Sequence, residues 1–202
     1  MNRVLLFGGA FDPPHLGHER LLENAVKAVV PDITIVAPTE VSPHKKNAAV
    51  SFFDRAMMAE TFKKYGDNIV VSGIENTGKK RKSYTFNTVK KLKKKYHGAE
   101  IFIVIGNDMV ESFEEWYLYR RLCAAVTIVT ANRSSGDNAE FKAAIAKIER
   151  MGGRVVLLDF EPIEVSSTEL RRKLKAGEDT SGLLSEYVAG YAAKRNVYKP
   201  LS

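Results

Sequence analysis

An α/β domain, built on a doubly wound and mostly parallel sheet with helices on both faces, is the fold that the sequence predicts. Short apolar segments alternate along the chain with segments whose apolar residues recur at helical spacing. The strand segments are apolar throughout rather than alternately polar, which is typical of parallel strands that helices cover on both faces. Because no linker, internal repeat or low-complexity segment interrupts this order, we expect a single domain over residues 1–202.

Each element has its own signal in the sequence. Residues 4–7 form a short apolar run and predict the first strand. Residues 21–30 place leucine, alanine and valine at helical spacing, which predicts a helix that Pro31 and Asp32 end. By the same criteria, further strands are expected at 33–37, 69–71, 101–105, 126–130 and 155–158. Further helices are expected at 52–62, 85–96, 141–148, 169–175 and 183–194.

Composition restricts the class of protein. The formal net charge is +7, and basic residues concentrate at 79–82 and 90–95. We interpret the lysines at 90–95 as the solvated face of a helix, because Val89, Leu92 and Tyr96 alternate with them at helical spacing. No run reaches the roughly 18 apolar residues of a membrane helix, and we expect no signal peptide. The one cysteine, Cys123, lies in an apolar run, so we expect it to be buried in a protein of a reducing, cytoplasmic compartment.

The first predicted strand leads directly into the segment Gly8-Gly-Ala-Phe-Asp-Pro-Pro-His-Leu-Gly-His18. Glycine lets a ligand approach the backbone closely and permits turns that other residues avoid. The helix start that follows offers unpaired N–H groups and the positive end of its dipole, which favour phosphate. His15 and His18 are three positions apart, so their rings lie on one face of a first helical turn. Two imidazoles beside a phosphate can stabilise the charge that grows in a transition state.

Three interpretations of this segment compete. In the first, one histidine caps the helix and the other has no role. In the second, His15 and His18 hold a metal ion together with His44 or Asp12. In the third, the glycines, the helix start and the histidines together bind the phosphates of a nucleoside triphosphate. We favour the third, because all of these features converge at the end of one strand.

A second phosphate-binding segment is expected at residues 165–171, which read Val-Ser-Ser-Thr-Glu-Leu-Arg. Ser166 and Glu169 have the spacing of a capping box, so a helix is expected to begin here with free N–H groups. Arg171 follows one turn later and can bring a planar, permanent positive charge to a phosphate. The alternative is an ordinary capped helix with a surface arginine.

The two segments carry a family resemblance. The first resembles the signature G-[GS]-x-F-D-P-x-H-x-G-H of the bacterial nicotinate-nucleotide adenylyltransferases, within the nucleotidylyltransferase superfamily, and the second resembles their [IV]-S-[SA]-T-x-[IL]-R motif. Ala10 stands where Thr or Ser is usual, which removes a hydrogen bond worth about 1 kcal/mol. The resemblance extends from about Arg3 to Tyr198 and implies a Rossmann-like fold. Class I aminoacyl-tRNA synthetases also carry H-x-G-H, but nothing here matches their Lys-Met-Ser-Lys-Ser loop.

The resemblance implies an ATP site formed by segments that are far apart in the sequence. The residues that it assigns to ATP are Gly8, Gly9, Ala10, Phe11, Asp12, His15, Gly17, His18, Gly106, Asp108, Ser166, Ser167, Thr168 and Arg171. Of these, His15, His18 and Arg171 are expected to be catalytic. The C-terminal helices, at about 168–196, are expected to complete the site.

The middle of the chain carries the implied acceptor site. The family shows G-x-D at residues 106–108, F-x-x-W at 113–116, S-Y-T at 83–85 and P-P-H-K at 42–45, where Ser42 replaces the first proline. The residues assigned to the acceptor are His44, Lys45, Ser83, Tyr84, Thr85, Asn107 and Trp116. The alternatives are a helix cap at 107–108, a core position for the tryptophan and a surface loop at 42–45.

The acceptor motifs also predict a chemical preference. The indole of Trp116 can stack on a pyridine ring. Ser83 or Thr85 is expected to cap a helix, and the resemblance implies that the amides of 83–85 bind the nicotinate carboxylate. A carboxylate gains charge-assisted bonds from free N–H groups, whereas a carboxamide would place a donor against donors. We therefore expect the acid to be preferred to the amide.

The implied reaction transfers the adenylyl group of ATP to nicotinate mononucleotide, with release of pyrophosphate, in NAD biosynthesis. Mg²⁺ is expected to bind the ATP phosphates with few ligands from the protein. We expect no nucleic-acid or membrane partner, and a homo-oligomer is compatible with the sequence. One alternative is a related transferase with another acceptor, such as nicotinamide mononucleotide or phosphopantetheine, or with CTP as donor. The other is a non-catalytic RNA-binding module on residues 79–82, which lack the interleaved aromatic residues that stacking on single strands needs.

Overall fold

The computed structural model describes residues 1–42, 48–78, 82–131, 138–161 and 163–198. Six strands form one sheet whose neighbours all pair in parallel. They are β1 (Arg3–Gly9), β2 (Ile33–Pro38), β3 (Ile69–Val71), β4 (Glu100–Val104), β5 (Thr127–Ala131) and β6 (Arg154–Leu158). Their spatial order, β3-β2-β1-β4-β5-β6, is that of the doubly wound Rossmann-like fold, so the predicted fold class is confirmed.

Helices follow the strands in the expected alternation. They are α1 (Leu16–Val29), α2 (Phe52–Ala59), α3 (Thr85–Lys95), α4 (Asn107–Glu111), α5 (Tyr119–Ala125), α6 (Ala139–Arg150), α7 (Ser167–Ala176) and α8 (Glu186–Lys194). Short 3-10 helices occupy Glu60–Tyr65 and Phe113–Glu115. The sequence did not predict α4 and α5, because five and seven residues are too few for helical periodicity to be recognised. Among the described residues, no helix has both the length and the apolar character that crossing a membrane requires.

Alternate residues of the central strands point to opposite faces of the sheet and build two cores. On one face, Leu6 and Ile103 pack with residues of α3, α5 and α6, among them Cys123, which is buried as predicted. On the other face, Phe7 and Val104 pack with α1 and the first 3-10 helix. A third cluster, around Met58, Val165, Leu170 and Val188, packs α7 and α8 against α2. The C-terminal helices are thereby held beside the carboxyl ends of the strands.

The lysine-rich helix α3 is amphipathic, as the sequence predicts. Val89 and Leu92 are buried in the core, whereas the lysines at 90, 91 and 93–95 are exposed. The interpretation of these lysines as a solvated helix face is confirmed. Residues 79–81 of the more N-terminal basic stretch lie outside the described part of the chain.

Candidate active site

A cavity of about 720 Å³ lies at the carboxyl ends of β1 and β4, where the direction of chain winding reverses. Its volume is in the range of small-molecule sites. All of the predicted site residues that the structure describes line it: Gly8, Gly9, Ala10, Phe11, Asp12, His15, Gly17, His18, Ser83, Tyr84, Thr85, Gly106, Asn107, Asp108, Trp116, Ser166, Ser167, Thr168 and Arg171. The remaining two, His44 and Lys45, lie outside the described residues.

The two histidines cap α1 together. His15 is the N-cap residue, and its Nδ1 accepts the backbone N–H of His18 at 3.2 Å. In return, Nδ1 of His18 accepts the backbone N–H of His15 at 3.3 Å, and the two rings stack with centroids 3.6 Å apart. Both histidines therefore contribute to the cap, whereas the first interpretation assigned a cap to one of them and no role to the other.

This reciprocal cap determines which ring nitrogen carries the proton. A nitrogen that accepts a hydrogen bond cannot itself hold a proton, so Nδ1 of each neutral ring is deprotonated. The proton of each neutral ring then lies on Nε2. His15 and His18 can thus each offer an Nε2–H donor to an anion in the cavity while the helix start stays capped.

Phe11, rather than a glycine, makes the turn that leaves β1. Its φ angle is +49°, and its ring is buried against Phe7 and Phe62 at centroid distances of 5.1 Å each. Gly8 and Gly9 are extended residues of β1, so the expectation that they provide a turn forbidden to other residues is wrong. Gly9 instead leaves room for Phe11, because a Cβ built there would lie 2.8 Å from that ring.

The carboxylate of Asp12 is bonded to the protein itself. It is 4% exposed, and it accepts the backbone N–H of Ala49 at 2.6 Å and the hydroxyl of Tyr198 at 2.8 Å. The backbone carbonyl of Asp12 accepts a bond from Nη1 of Arg171 at 2.7 Å. Burial and the neighbouring Asp12 raise the pKa of the Tyr198 phenol well above its usual range. Asp12 thus connects three separate segments around the cavity.

Helix α7 begins at the opposite wall of the cavity. Ser166 is its N-cap and accepts the backbone N–H of Glu169 at 3.2 Å, as the capping-box spacing predicts. The hydroxyl of Ser167 donates to the carbonyl of Pro13 at 2.9 Å. Arg171 also bonds Oγ1 of Thr168 at 3.1 Å. These contacts bring the second predicted phosphate-binding segment against the first.

The start of α3 forms the other end of the cavity, but its cap differs from the expected one. Tyr84 occupies the N-cap position, and no side chain caps the helix. The prediction that Ser83 or Thr85 caps it is therefore wrong. The hydroxyl of Ser83 instead accepts the backbone N–H of Glu40 at 3.3 Å, and its interaction with the carboxylate of Glu75 opposes the rise that burial causes in the pKa of Glu75. No side chain of the described residues caps the first backbone amides of α3. The expectation that the amide of Ser83 also faces the acceptor is wrong, because it donates to the carbonyl of Val41 at 2.9 Å.

The wall next to α3 is aromatic. Trp116 is half-buried and packs on Phe113 at a centroid distance of 5.5 Å, so it lines the cavity and contacts the core at once. The ring of Tyr117 lies 4.8 Å from that of Tyr84 and is 48% exposed. Sequence reasoning did not select Tyr117, although its position directly after the tryptophan was a signal.

Asn107 and Asp108 do not cap the helix that follows them. Gly106 is the N-cap of α4, and no side chain caps it. Nδ2 of Asn107 donates to Glu111 at 3.0 Å, while its Oδ1 is buried at the cavity wall and has no hydrogen-bond partner among the described residues. Asp108 is exposed to the cavity. The helix-cap alternative for these two residues is therefore wrong.

Two buried charged residues in the cavity wall were missed by sequence reasoning. Arg55 is 2% exposed and Glu75 is 7% exposed. Burial lowers the pKa of the Arg55 guanidinium, and the charge of Asp12 opposes this shift. Burial raises the pKa of the Glu75 carboxyl, whereas bonds from the hydroxyls around it act in the opposite direction. The charged pair Asp54-Arg55 among the apolar residues of α2 was the signal for Arg55.

The described residues contain no group of three or more His, Cys, Asp or Glu side chains placed to hold a metal ion. The metal interpretation of the histidine pair needed Asp12 or His44. Asp12 is already bonded by Ala49 and Tyr198, and His44 lies outside the described part of the chain. These bonds disfavour the metal interpretation that used Asp12, and the one that used His44 falls outside the described residues.

Comparison with known proteins assigns this arrangement to a family. The family model described as cytidylyltransferase-like matches residues 6–173. The chain belongs to this family. Within it, a probable nicotinate-nucleotide adenylyltransferase from Shouchella clausii is 35% identical over 98% of this chain and 97% of its own length. The chain is thus also a member of the nicotinate-nucleotide adenylyltransferases, the family that its two phosphate-binding motifs resemble.

One further relative and one solved structure are similar over nearly the whole chain, and the structure bears on the fold alone. The nicotinate-nucleotide adenylyltransferase of Bacillus subtilis is 28% identical over 98% of this chain and 100% of its own length. A solved structure of Plasmodium falciparum nicotinic acid mononucleotide adenylyltransferase complexed with NaAD superimposes with a TM-score of 0.81. It covers 98% of both chains at 17% identity, so the Rossmann-like arrangement is shared over nearly the whole length.

Proposed function

We propose that this chain transfers the adenylyl group of ATP to nicotinate mononucleotide, giving nicotinate adenine dinucleotide and pyrophosphate in NAD biosynthesis. One observation carries the proposal. A single cavity joins the His15–His18 pair and the start of α7 to the start of α3 and Trp116. The histidine pair and the start of α7 suit a triphosphate, and the start of α3 and Trp116 suit an aromatic acid. The names of the relatives in S. clausii and B. subtilis support the same activity.

The chemistry needs alignment and charge stabilisation rather than a protein nucleophile. A phosphate oxygen of the acceptor forms a bond to the α-phosphorus of ATP, the bond from that phosphorus to the bridging oxygen breaks, and pyrophosphate leaves. The attacking phosphate is already an anion at neutral pH, so no general base is needed. Holding two reactants in line can lower the barrier by about 7–11 kcal/mol. The Nε2–H groups of His15 and His18 would stabilise the charge that develops on the transferred phosphoryl group.

Arg171 would act on the leaving group. Its guanidinium is bonded to Thr168 and to the backbone of Asp12, so its position is defined before a substrate arrives. Arginine carries five N–H donors, and these two bonds leave others for phosphate oxygens. We infer that residues 1–202 work as one domain in which α7 and α8 complete the ATP site.

We infer that Mg²⁺ reaches the site on the ATP phosphates, which would supply most of its ligands. The buried carboxylate of Asp12 fits this view, because its oxygens already accept bonds from Ala49 and Tyr198. When bound, the ion neutralises part of the triphosphate charge. We place the enzyme in the cytoplasm, where the buried thiol of Cys123 would remain reduced.

The proposal is tested by measuring pyrophosphate release from ATP with nicotinate mononucleotide and, separately, with nicotinamide mononucleotide. We expect a higher kcat/KM for the acid, because the free amides at the start of α3 match a carboxylate. Equal values would refute the argument from the helix start while leaving adenylyl transfer intact. Release with phosphopantetheine alone, or with CTP in place of ATP, would assign the chain to a related transferase.

A further inference from the structure

Arg55 and Glu75 contact groups on opposite sides of one peptide. Arg55, on α2, donates from Nη1 to the backbone carbonyls of Ala10 and Thr39, each at 2.7 Å. Ala10 belongs to the loop that carries the histidine pair, and Thr39 directly follows β2. One planar guanidinium thus joins the ends of two neighbouring strands. The proposed reaction assigns no chemical step to this contact.

Glu75 makes the corresponding contacts on the acceptor side. Its Oε1 accepts the hydroxyl of Thr88, which lies in the second turn of α3, at 2.9 Å. The hydroxyls of Ser83 and Thr39 interact with the same carboxylate and oppose the rise in the pKa of Glu75 that burial causes. Glu75 therefore holds the start of α3, whose amides face the proposed acceptor, against the end of β2.

The peptide between Thr39 and Glu40 connects the two sets of contacts. Its carbonyl oxygen accepts from Arg55 at 2.7 Å, and its N–H donates to Oγ of Ser83 at 3.3 Å. The carbonyl and the N–H of a trans peptide point in opposite directions, so this peptide bonds Arg55 on one side and Ser83 on the other. Hydrogen bonds thus run from the histidine loop through Arg55 and this peptide to Ser83, whose hydroxyl in turn interacts with the buried carboxylate of Glu75.

We propose that Arg55 and Glu75 are positioning residues that act as one unit through the Thr39–Glu40 peptide and set the distance between the histidine loop and the start of α3. This inference rests on the proposed function, because these two segments would hold the two substrates of the transfer. In-line attack needs the reacting atoms about 3–3.5 Å apart, and a misplacement of about 1 Å can cost roughly 100-fold in rate. Neither residue needs to touch a substrate to have this effect.

Buried ionic groups suit this role better than apolar packing does. A guanidinium offers donors in a fixed plane, so it can hold two carbonyls at a defined separation, which a lysine ammonium cannot do in the same way. Burial also makes each bond costly to break, since a separated partner would be left unsatisfied in a medium of low polarity. The unit therefore has few alternative arrangements.

The test compares Arg55→Lys, Glu75→Gln and the double variant in the pyrophosphate-release assay. We expect each single change to lower kcat by about 10–100-fold, while the Kd of each substrate measured alone changes less than about threefold. The kcat of the double variant should be no more than about threefold below that of the more impaired single variant, because both residues act on one peptide. Losses that multiply in the double variant would overturn the proposal.

A milder variant and a matched control complete the design. Ser83→Ala removes only the hydroxyl between the peptide and Glu75, and it should lower kcat without a matching loss of thermal stability. Glu19→Gln is the control, because Glu19 is 1% exposed and bonded to Thr61 and Tyr65 but does not line the cavity. It should lower Tm and leave kcat near the wild-type value.

The outcomes separate this inference from the function on which it depends. Wild-type protein that releases no pyrophosphate with nicotinate mononucleotide would refute the proposed function. Wild-type turnover combined with normal kcat in Arg55→Lys, Glu75→Gln and Ser83→Ala would refute the positioning role alone. A fall in kcat of Glu19→Gln as large as that of Glu75→Gln would also refute it, since any buried carboxylate would then have the same effect.

Discussion

The two ends of the cavity are built differently. At the donor end, Phe11, Asp12 and His15 are buried, and the polar ones are held by hydrogen bonds to other parts of the protein. At the proposed acceptor end, Trp116 is half-buried and Tyr117 is exposed, and their rings pack on those of Phe113 and Tyr84. The donor end is a rigid polar surface, whereas the acceptor end is an open aromatic one.

This difference indicates which kinetic parameter each end of the cavity controls. Donors fixed before the reaction stabilise charge that exists only in the transition state, so their loss lowers kcat. Aromatic faces interact with a ring that is the same before and during the reaction, so their loss weakens binding and raises KM. The comparison therefore predicts that variants of the two ends separate into two kinetic classes.

The largest effect is expected for His18→Ala at the donor end. The change removes an Nε2–H donor and also the acceptor that caps the N–H of His15. By analogy with the loss of one donor to a developing oxyanion, kcat should fall about 100–1000-fold. Steady-state kinetics with both substrates measure it. His97→Ala, at an exposed position, is the control and should retain full activity; near-normal turnover of the His18 variant would remove that ring from the mechanism.

A moderate effect is expected for Trp116→Ala at the acceptor end. Loss of a stacked ring is worth about 0.5–1.5 kcal/mol beyond the buried area, so KM for the acceptor should rise up to about tenfold. KM for ATP and kcat should change little. Initial rates over a range of acceptor concentrations check this. A loss confined to kcat would mean that the indole acts in the transition state, and the contrast between the two ends would fail.

The same contrast explains how much of the site was predictable. The residues that line the proposed donor end of the cavity were predicted almost completely, because they stand together in two short segments with helix-start chemistry. The residues at the proposed acceptor end were predicted through motifs, but the predicted cap of α3 was wrong. Tyr84 occupies the N-cap position, and the hydroxyl of Ser83 accepts the backbone N–H of Glu40 instead of capping the helix. A cap is decided by tertiary partners as well as by residue type.

Residues that work across long sequence distances could not be predicted. Arg55 contacts carbonyls 45 and 16 positions away. Every residue has a backbone carbonyl, so residue types in the sequence do not identify these acceptors. Asp12 was correctly placed at the cavity, but its partner Tyr198 is 186 positions away. The strands and the longer helices, in contrast, depend on local apolar patterns. Local pattern predicted the scaffold and the helix starts, and only the fold revealed what holds them in position.

The smallest effect, and the finest test of the comparison, is expected for Tyr198→Phe. The change removes one hydrogen bond to the buried carboxylate of Asp12 and leaves the ring in place. A lost bond of this kind costs about 0.5–3 kcal/mol, because the partner keeps an unsatisfied oxygen. For a chain of this size, we expect Tm to fall by a few degrees, roughly 2–4 °C per kcal/mol. Because Tyr198 does not line the cavity, kcat should stay within about twofold of wild type.

Thermal unfolding and steady-state kinetics measured on the same samples decide this case. Tyr187→Phe is the matched control, since that hydroxyl also bonds a protein oxygen, the carbonyl of Met57, but at an exposed site. Its Tm should change less than that of Tyr198→Phe. Equal shifts in the two variants would show that the bond to Asp12 adds nothing specific. A fall in kcat of tenfold or more would show that the donor end depends on this tyrosine for its geometry, and its rigidity would then come from the C-terminal segment as much as from the histidine cap.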